Sequence, residues 1–137
     1  MRAYTGTLVL LALAAAAAAA AESGARPRLD LRATPRVAFS PTVVSATAEL
    51  AGGDETEDFY CPELEWDWDD GARSARGSDC PPFQAGASDF ERFFSADHVY
   101  RQAGSYDVKI TMKRAGRTLA VATSRVTVRP GLANFSE

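Results

Sequence analysis

From Ser105 to Met112 the chain reads SYDVKITM, with Tyr106, Val108, Ile110 and Met112 alternating against Ser105, Asp107, Lys109 and Thr111. A strict period of two places every apolar side chain on one face of an extended strand and every polar one on the other. From Leu29 onward no window of twelve or more residues carries an apolar stripe of period 3.6. A chain so patterned cannot build its core from amphipathic helices. It must bury the apolar faces of sheets against one another.

Other segments follow the same rule. TVVSATAEL turns Val44, Ala46, Ala48 and Leu50 to one side. FYCPELEWDWD places Leu64, Trp66 and Trp68 on one face and Glu63, Glu65, Asp67 and Asp69 on the other. DFERFFSADHVY keeps Phe94, Ala96, His98 and Tyr100 in register. LDLRATP is a short first strand stopped by Pro35. Lys113-Arg114-Ala115-Gly116 signals a hairpin turn into RTLAVATSRVTVR. There Leu119, Val121 and Thr123 share one phase, while Val126 and Val128 take the other, so a bulge near Ser124 is expected. Gly71 to Gly86 reads as loop, rich in Gly, Ser and Pro. About seven short strands separated by turns are the signature of an all-β, immunoglobulin-like antiparallel β-sandwich.

The N-terminus carries a different signal. An apolar run from Leu8 to Ala21 follows the basic Arg2 and ends in an Ala-x-Ala pattern. It is shorter than the roughly 20 residues a membrane span needs and reads as a secretory signal peptide over 1–21. A flexible lead-in over 22–28, a domain over 29–130 and a tail over 131–137 complete the expected organisation. The mature protein is thus expected to be secreted or periplasmic, with no stable membrane insertion after cleavage. In that setting the two cysteines, Cys61 and Cys80, read as one disulfide. Closing a loop of this length is worth about 3 kcal/mol by the chain-entropy model. The formal net charge of −3 argues against nucleic acid and anionic lipid as partners.

WDWDDG, followed after a long loop by DHVY, then by GSYDVKITM and a terminal VTVRP, resembles the polycystic-kidney-disease (PKD) domain family. The resemblance spans about Leu29 to Pro130. It matches Trp66 to the family's buried tryptophan and Trp68 to the aromatic two residues on. Asp70 and Gly71 match its turn pair, and His98, Tyr100, Gly104 and Tyr106 its later motifs. It implies two packed immunoglobulin-like sheets and the role of an extracellular spacer or interaction module. Two departures stand out: Asp69 occupies a position where the family usually has glycine, and the Cys61–Cys80 pair is not a general family feature.

Chemistry is sparsely represented. His98 is the single histidine and shares a face with Phe94 and Tyr100, which suits a structural residue better than a general base. No catalytic set is expected, and the protein is read as a non-enzyme. Acids alternating along a strand are ordinarily a solvated face, although paired carboxylates are what glycoside hydrolysis requires. Asp67, Asp69 and Asp70 are calcium candidates, but their spacing does not match an EF-hand loop. No cofactor beyond possible calcium is expected. Asp70 has a simpler role open to it, accepting backbone N–H groups within the turn. Tyr100 and Tyr106 suit hydrogen bonds across a sandwich corner. The loop containing Cys80, with Phe83 and Phe90, is the expected binding surface, because aromatics in a pinned loop lose little entropy on binding. The expectation is therefore an exported module that binds a protein or an envelope polysaccharide. The alternatives are a calcium-dependent carbohydrate-binding module and a small secreted enzyme inhibitor.

Overall fold

The computed structural model describes residues 26–77 and 79–132. The expected signal peptide, residues 22–25 of the lead-in and residues 133–137 of the tail lie outside the described residues. Among the described residues eight strands form: β1 (Arg28–Thr34), β2 (Val37–Phe39), β3 (Thr42–Ala51), β4 (Glu63–Asp67), β5 (Arg73–Arg76), β6 (Phe93–Tyr100), β7 (Gly104–Arg114) and β8 (Arg117–Arg129). A 3-10 turn, Glu57–Phe59, precedes β4. The strands divide into a three-stranded sheet ordered β1-β3-β6 and a five-stranded sheet ordered β2-β8-β7-β4-β5. This is the expected all-β immunoglobulin-like sandwich, with eight strands where about seven were anticipated.

The alternating residues meet between the sheets. Leu29, Ala33, Val44, Ala46, Ala48, Leu50, Phe94 and Tyr100 from the smaller sheet pack against Leu64, Trp66, Val108, Ile110, Met112, Val126 and Val128 from the larger one. Among the described residues no polar or charged side chain is buried, so hydrophobic burial holds the layers together without any compensating buried ion pair.

Three sequence expectations need correction. The stretch Gly71–Gly86, read as loop, contains β5. Its sequence RSAR has no apolar face, and it is a strand because β4 pairs with it from Leu64↔Arg76 to Asp67↔Arg73. The sandwich is also not wholly antiparallel. β2 lies parallel to β8, Val37 beside Thr127 and Phe39 beside Arg129. The first strand thus switches sheets at Thr34-Pro35, leaving β1 with β3 and sending β2 to β8.

The bulge in β8 is displaced as well. Met112 opposes Ala120 but Lys113 opposes Thr118, so Leu119 is the extra residue. Beyond it Ala120, Ala122, Val126 and Val128 share the inward phase, while Val121 is half exposed. The position follows from the hairpin. Ala115 and Gly116 both adopt positive φ, 48° and 75°, as a two-residue turn matched to strand twist requires. That turn pairs Arg114 with Arg117, and the register is then corrected at once.

Candidate functional site

The WDWDDG motif is where the candidate residues converge. Trp66 and Trp68 are 3% and 0% exposed and stack at 6.0 Å between ring centres. Trp68 lies just beyond the end of β4 and is held on three sides. Its indole N–H donates to Ser74 Oγ at 2.9 Å, and its backbone N–H donates to the Ala72 carbonyl at 3.2 Å. Its own carbonyl accepts the Tyr100 hydroxyl at 2.7 Å. The column continues across the sandwich. His98 stacks on Trp68 at 4.8 Å, Tyr100 meets His98 edge-on at 4.8 Å, and Tyr106 stacks on Tyr100 at 4.2 Å. The Tyr106 hydroxyl donates back to the Gln102 carbonyl at 2.8 Å, closing the turn that enters β7. Burial, with the nearby Asp70 carboxylate adding to it, pushes the Tyr100 phenol well above its usual range, so it stays a hydrogen-bond donor.

The acids beside the tryptophans are engaged in the same structure. Asp67 Oδ1 accepts the Asp69 N–H at 3.0 Å, and its other oxygen pairs with Arg73 at 3.3 Å. Asp70 Oδ1 accepts the Ala72 N–H at 3.0 Å, and its Oδ2 lies 2.6 Å from His98 Nε2. Burial raises the Asp70 carboxyl, but hydrogen bonds from His98 and Ala72 outweigh it, and the group titrates below its ordinary value. Asp69 sits in the left-handed region at φ 63°. That backbone explains why glycine is usual at this position in the resembled family. The aspartate adds something glycine cannot: its Oδ2 accepts the Asp107 N–H at 2.9 Å, tying the turn to β7. Gly71 follows at φ 90°, with nothing within 4 Å of where a Cβ would lie. Its need is conformational and not steric.

A second acidic segment, DETED from Asp54 to Asp58, is anchored through two of its four acids. Glu57 pairs with Arg114 at 3.3 Å and Asp58 with Arg117 at 2.8 Å, fastening the 3-10 turn to the β7–β8 hairpin. Among the described residues no group of three or more His, Cys, Asp or Glu side chains gathers as a metal ligand set.

Cys61 and Cys80 form the disulfide. It clasps the loop between β5 and β6 to the entry of β4, where the Tyr60 hydroxyl also donates to the Pro81 carbonyl at 2.7 Å. Phe83 and Phe90 do not project as free aromatics. They pack with Tyr60 as a three-ring cluster, centroids 5.6, 6.0 and 6.2 Å apart. Phe94, also on this segment, is core, whereas Phe93, which shares its apolar chemistry, is 59% exposed. Sequence reasoning missed Tyr60, which organises the cluster; its place next to Cys61 was the available signal. Beside the loop lies an open cavity of about 490 Å³, lined by Tyr60, Pro81, Pro82, Phe83, Glu63 and Arg114.

No protein-family model and no curated protein matches the sequence. Solved structures do resemble it. The PKD domain of an M14-like peptidase from a Thermoplasmatales archaeon aligns with a TM-score of 0.52 at 18% identity, over 80% of this chain and 100% of that domain. The CARDB domain of a Pyrococcus furiosus protein aligns in its solution structure with a TM-score of 0.54 at 12% identity, over 75% of this chain and 94% of that one. Its crystal structure, in complex with di-metal ions, aligns with a TM-score of 0.51 at 12% identity, over 77% and 91%. At these identities the likeness speaks for the fold, which agrees with the WDWDDG, HVY and GSY placements: the chain is a PKD-like immunoglobulin-type β-sandwich.

Proposed function

We propose that this chain is an exported, non-enzymatic binding module that engages a protein or a cell-envelope polymer through the loop clasped by Cys61–Cys80. The observation that carries this reading is the construction of that loop. A disulfide, the Tyr60–Pro81 hydrogen bond and the Tyr60–Phe83–Phe90 cluster fix its shape before any partner arrives. A preformed surface loses little conformational entropy on binding. The cavity beside it offers ring and proline faces next to a carboxylate and a guanidinium, which suits a peptide segment or the alternating faces of a sugar polymer. The disulfide favours an oxidising compartment. The resembled structures are PKD and CARDB domains, one of them a domain of a peptidase, and His98 with the neighbouring carboxylates is used within the fold.

The test compares the protein with its Phe83→Ser and Pro82→Ser variants for retention on isolated envelope polymer and on immobilised proteins of the exported fraction. Retention that both variants lose supports the loop. Retention unchanged in both variants refutes it. A small inhibitor of a secreted enzyme is the special case in which the partner is an active-site cleft.

A calcium-dependent carbohydrate-binding role draws support from the di-metal complex of the Pyrococcus CARDB domain. It is disfavoured by the commitments of Asp67, Asp69 and Asp70 to backbone, Arg73 and His98. Millimolar calcium is therefore expected to leave the melting temperature unchanged, since a ligand specific to the folded state would raise it.

A further inference from the structure

β6 is an edge of the three-stranded sheet, and among the described residues nothing pairs with its far side. Its hydrogen-bonding phase follows from its register. The Leu50 N–H donates to the Arg92 carbonyl at 2.8 Å, and Ala48 opposes Phe94, Ala46 opposes Ala96 and Val44 opposes His98. Antiparallel ladders alternate, so Phe94, Ala96, His98 and Tyr100 direct their backbone groups toward β3. The N–H and C=O groups of Phe93, Ser95, Asp97 and Val99 point to the open edge. The side chains of these same four residues are exposed on the solvent face of the sheet.

The order along that edge is apolar, polar, polar, apolar. We propose that β6 pairs with β6 of a second copy of this chain, antiparallel, about a two-fold axis at Ala96. In that register Phe93 faces Val99 of the second copy, and Ser95 faces its Asp97. Both large apolar side chains, 59% and 42% exposed in the single chain, are covered by the pairing. Val43, opposite Val99 on β3 and 57% exposed, extends each contact into a three-residue stripe. Asp97, which also accepts the Ser45 hydroxyl, meets a hydroxyl and not another carboxylate.

Neighbouring registers fail by the same accounting. A slip of two residues one way sets Phe93 against Asp97. A slip the other way sets Asp97 against Asp97 and leaves Phe93 uncovered. A parallel in-register arrangement stacks like charges and does not close on itself. The other edges offer less: β5 has four residues with an arginine at each end, β2 has three, and β1, the opposite edge of the same sheet, carries the charged Arg28, Asp30 and Arg32 on the face away from the core. Pairing at β6 would merge the two small sheets into one and present two copies of the disulfide-clasped loop, but it does not depend on what that loop binds.

The two Asp97 carboxylates lie on the diagonal across the two-fold axis, about 7–8 Å apart by the usual cross-strand spacing. Association should therefore strengthen with added salt. Sedimentation equilibrium of the protein as isolated is expected to show a monomer–dimer equilibrium, with slowed hydrogen exchange of the Ser95 and Asp97 amides at high protein concentration. The double variant Phe93→Glu/Val99→Glu should lose the dimer and keep the melting temperature of the dilute, monomeric protein, because both side chains are exposed. Asp97→Asn should associate several-fold more tightly, so a variant that fails to fold does not end the test. A monomer at every concentration overturns the proposal. So does a dimer indifferent to all three substitutions.

Discussion

Asp69 combines two opposing effects in one residue. Its left-handed backbone costs about 1–2 kcal/mol for any residue with a Cβ, and its carboxylate recovers part of that through the Asp107 N–H. Replacing it by alanine keeps the strain and loses the bond, whereas glycine loses both. Chemical denaturation should find Asp69→Gly near wild type and Asp69→Ala less stable than Asp69→Gly by about 1–2 kcal/mol. Asp70 gives a second prediction at this scale. Its folded pKa lies below the ordinary 3.8, so its ionised form contributes stability above that pH. The contribution is lost as pH falls through the folded value. In acid titrations followed by tryptophan fluorescence, Asp70→Asn should flatten the loss of stability below about pH 4 and leave the protein less stable at neutral pH.

Strands differ in how plainly they announce themselves. β3, β4, β6 and β7 alternate because one face is buried and the other is wet, and each was legible from that period alone. The aromatic column was half legible: alternation and the PKD resemblance set Trp66, Trp68, His98 and Tyr100 inward, but no periodicity reveals that the Tyr100 hydroxyl reaches the Trp68 carbonyl. β5 was invisible because its strand character comes from β4 and from Ser74 under the Trp68 indole. β2 is three residues between prolines, too short for any pattern. The bulge was misplaced because the turn at Ala115-Gly116 sets the register, and only pairing with β7 shows where the correction falls. Ala115 is the weak point of that hairpin, since its φ of 48° suits glycine or asparagine. Ala115→Gly should raise the melting temperature, corresponding to about 0.5–1 kcal/mol, because the relieved strain exceeds the freedom that glycine adds to the unfolded chain.

At the largest scale the described residues form a small sandwich with a single covalent link between distant segments. Reduction should cost about 3 kcal/mol by loop closure, measured as a lower denaturation midpoint. It should also release the loop between β5 and β6 first, because the Tyr60–Pro81 hydrogen bond and the Tyr60–Phe83–Phe90 packing are then left without the covalent clasp. Hydrogen exchange would show that loop exchanging early while β7 and β8 stay protected.

The parallel pairing of β2 with β8 has a mechanical meaning. These two strands lie near the beginning and the end of the sandwich and run in the same direction. Tension that reaches the N-terminal end of β2 and the C-terminal end of β8 drags the two strands past each other along their length, loading their hydrogen bonds in shear all at once instead of peeling them open one by one. Gly131 reinforces the junction, donating its N–H to Ser40 Oγ at 3.1 Å immediately beyond the pair. A domain held this way resists tension by its rate of rupture more than by its equilibrium stability.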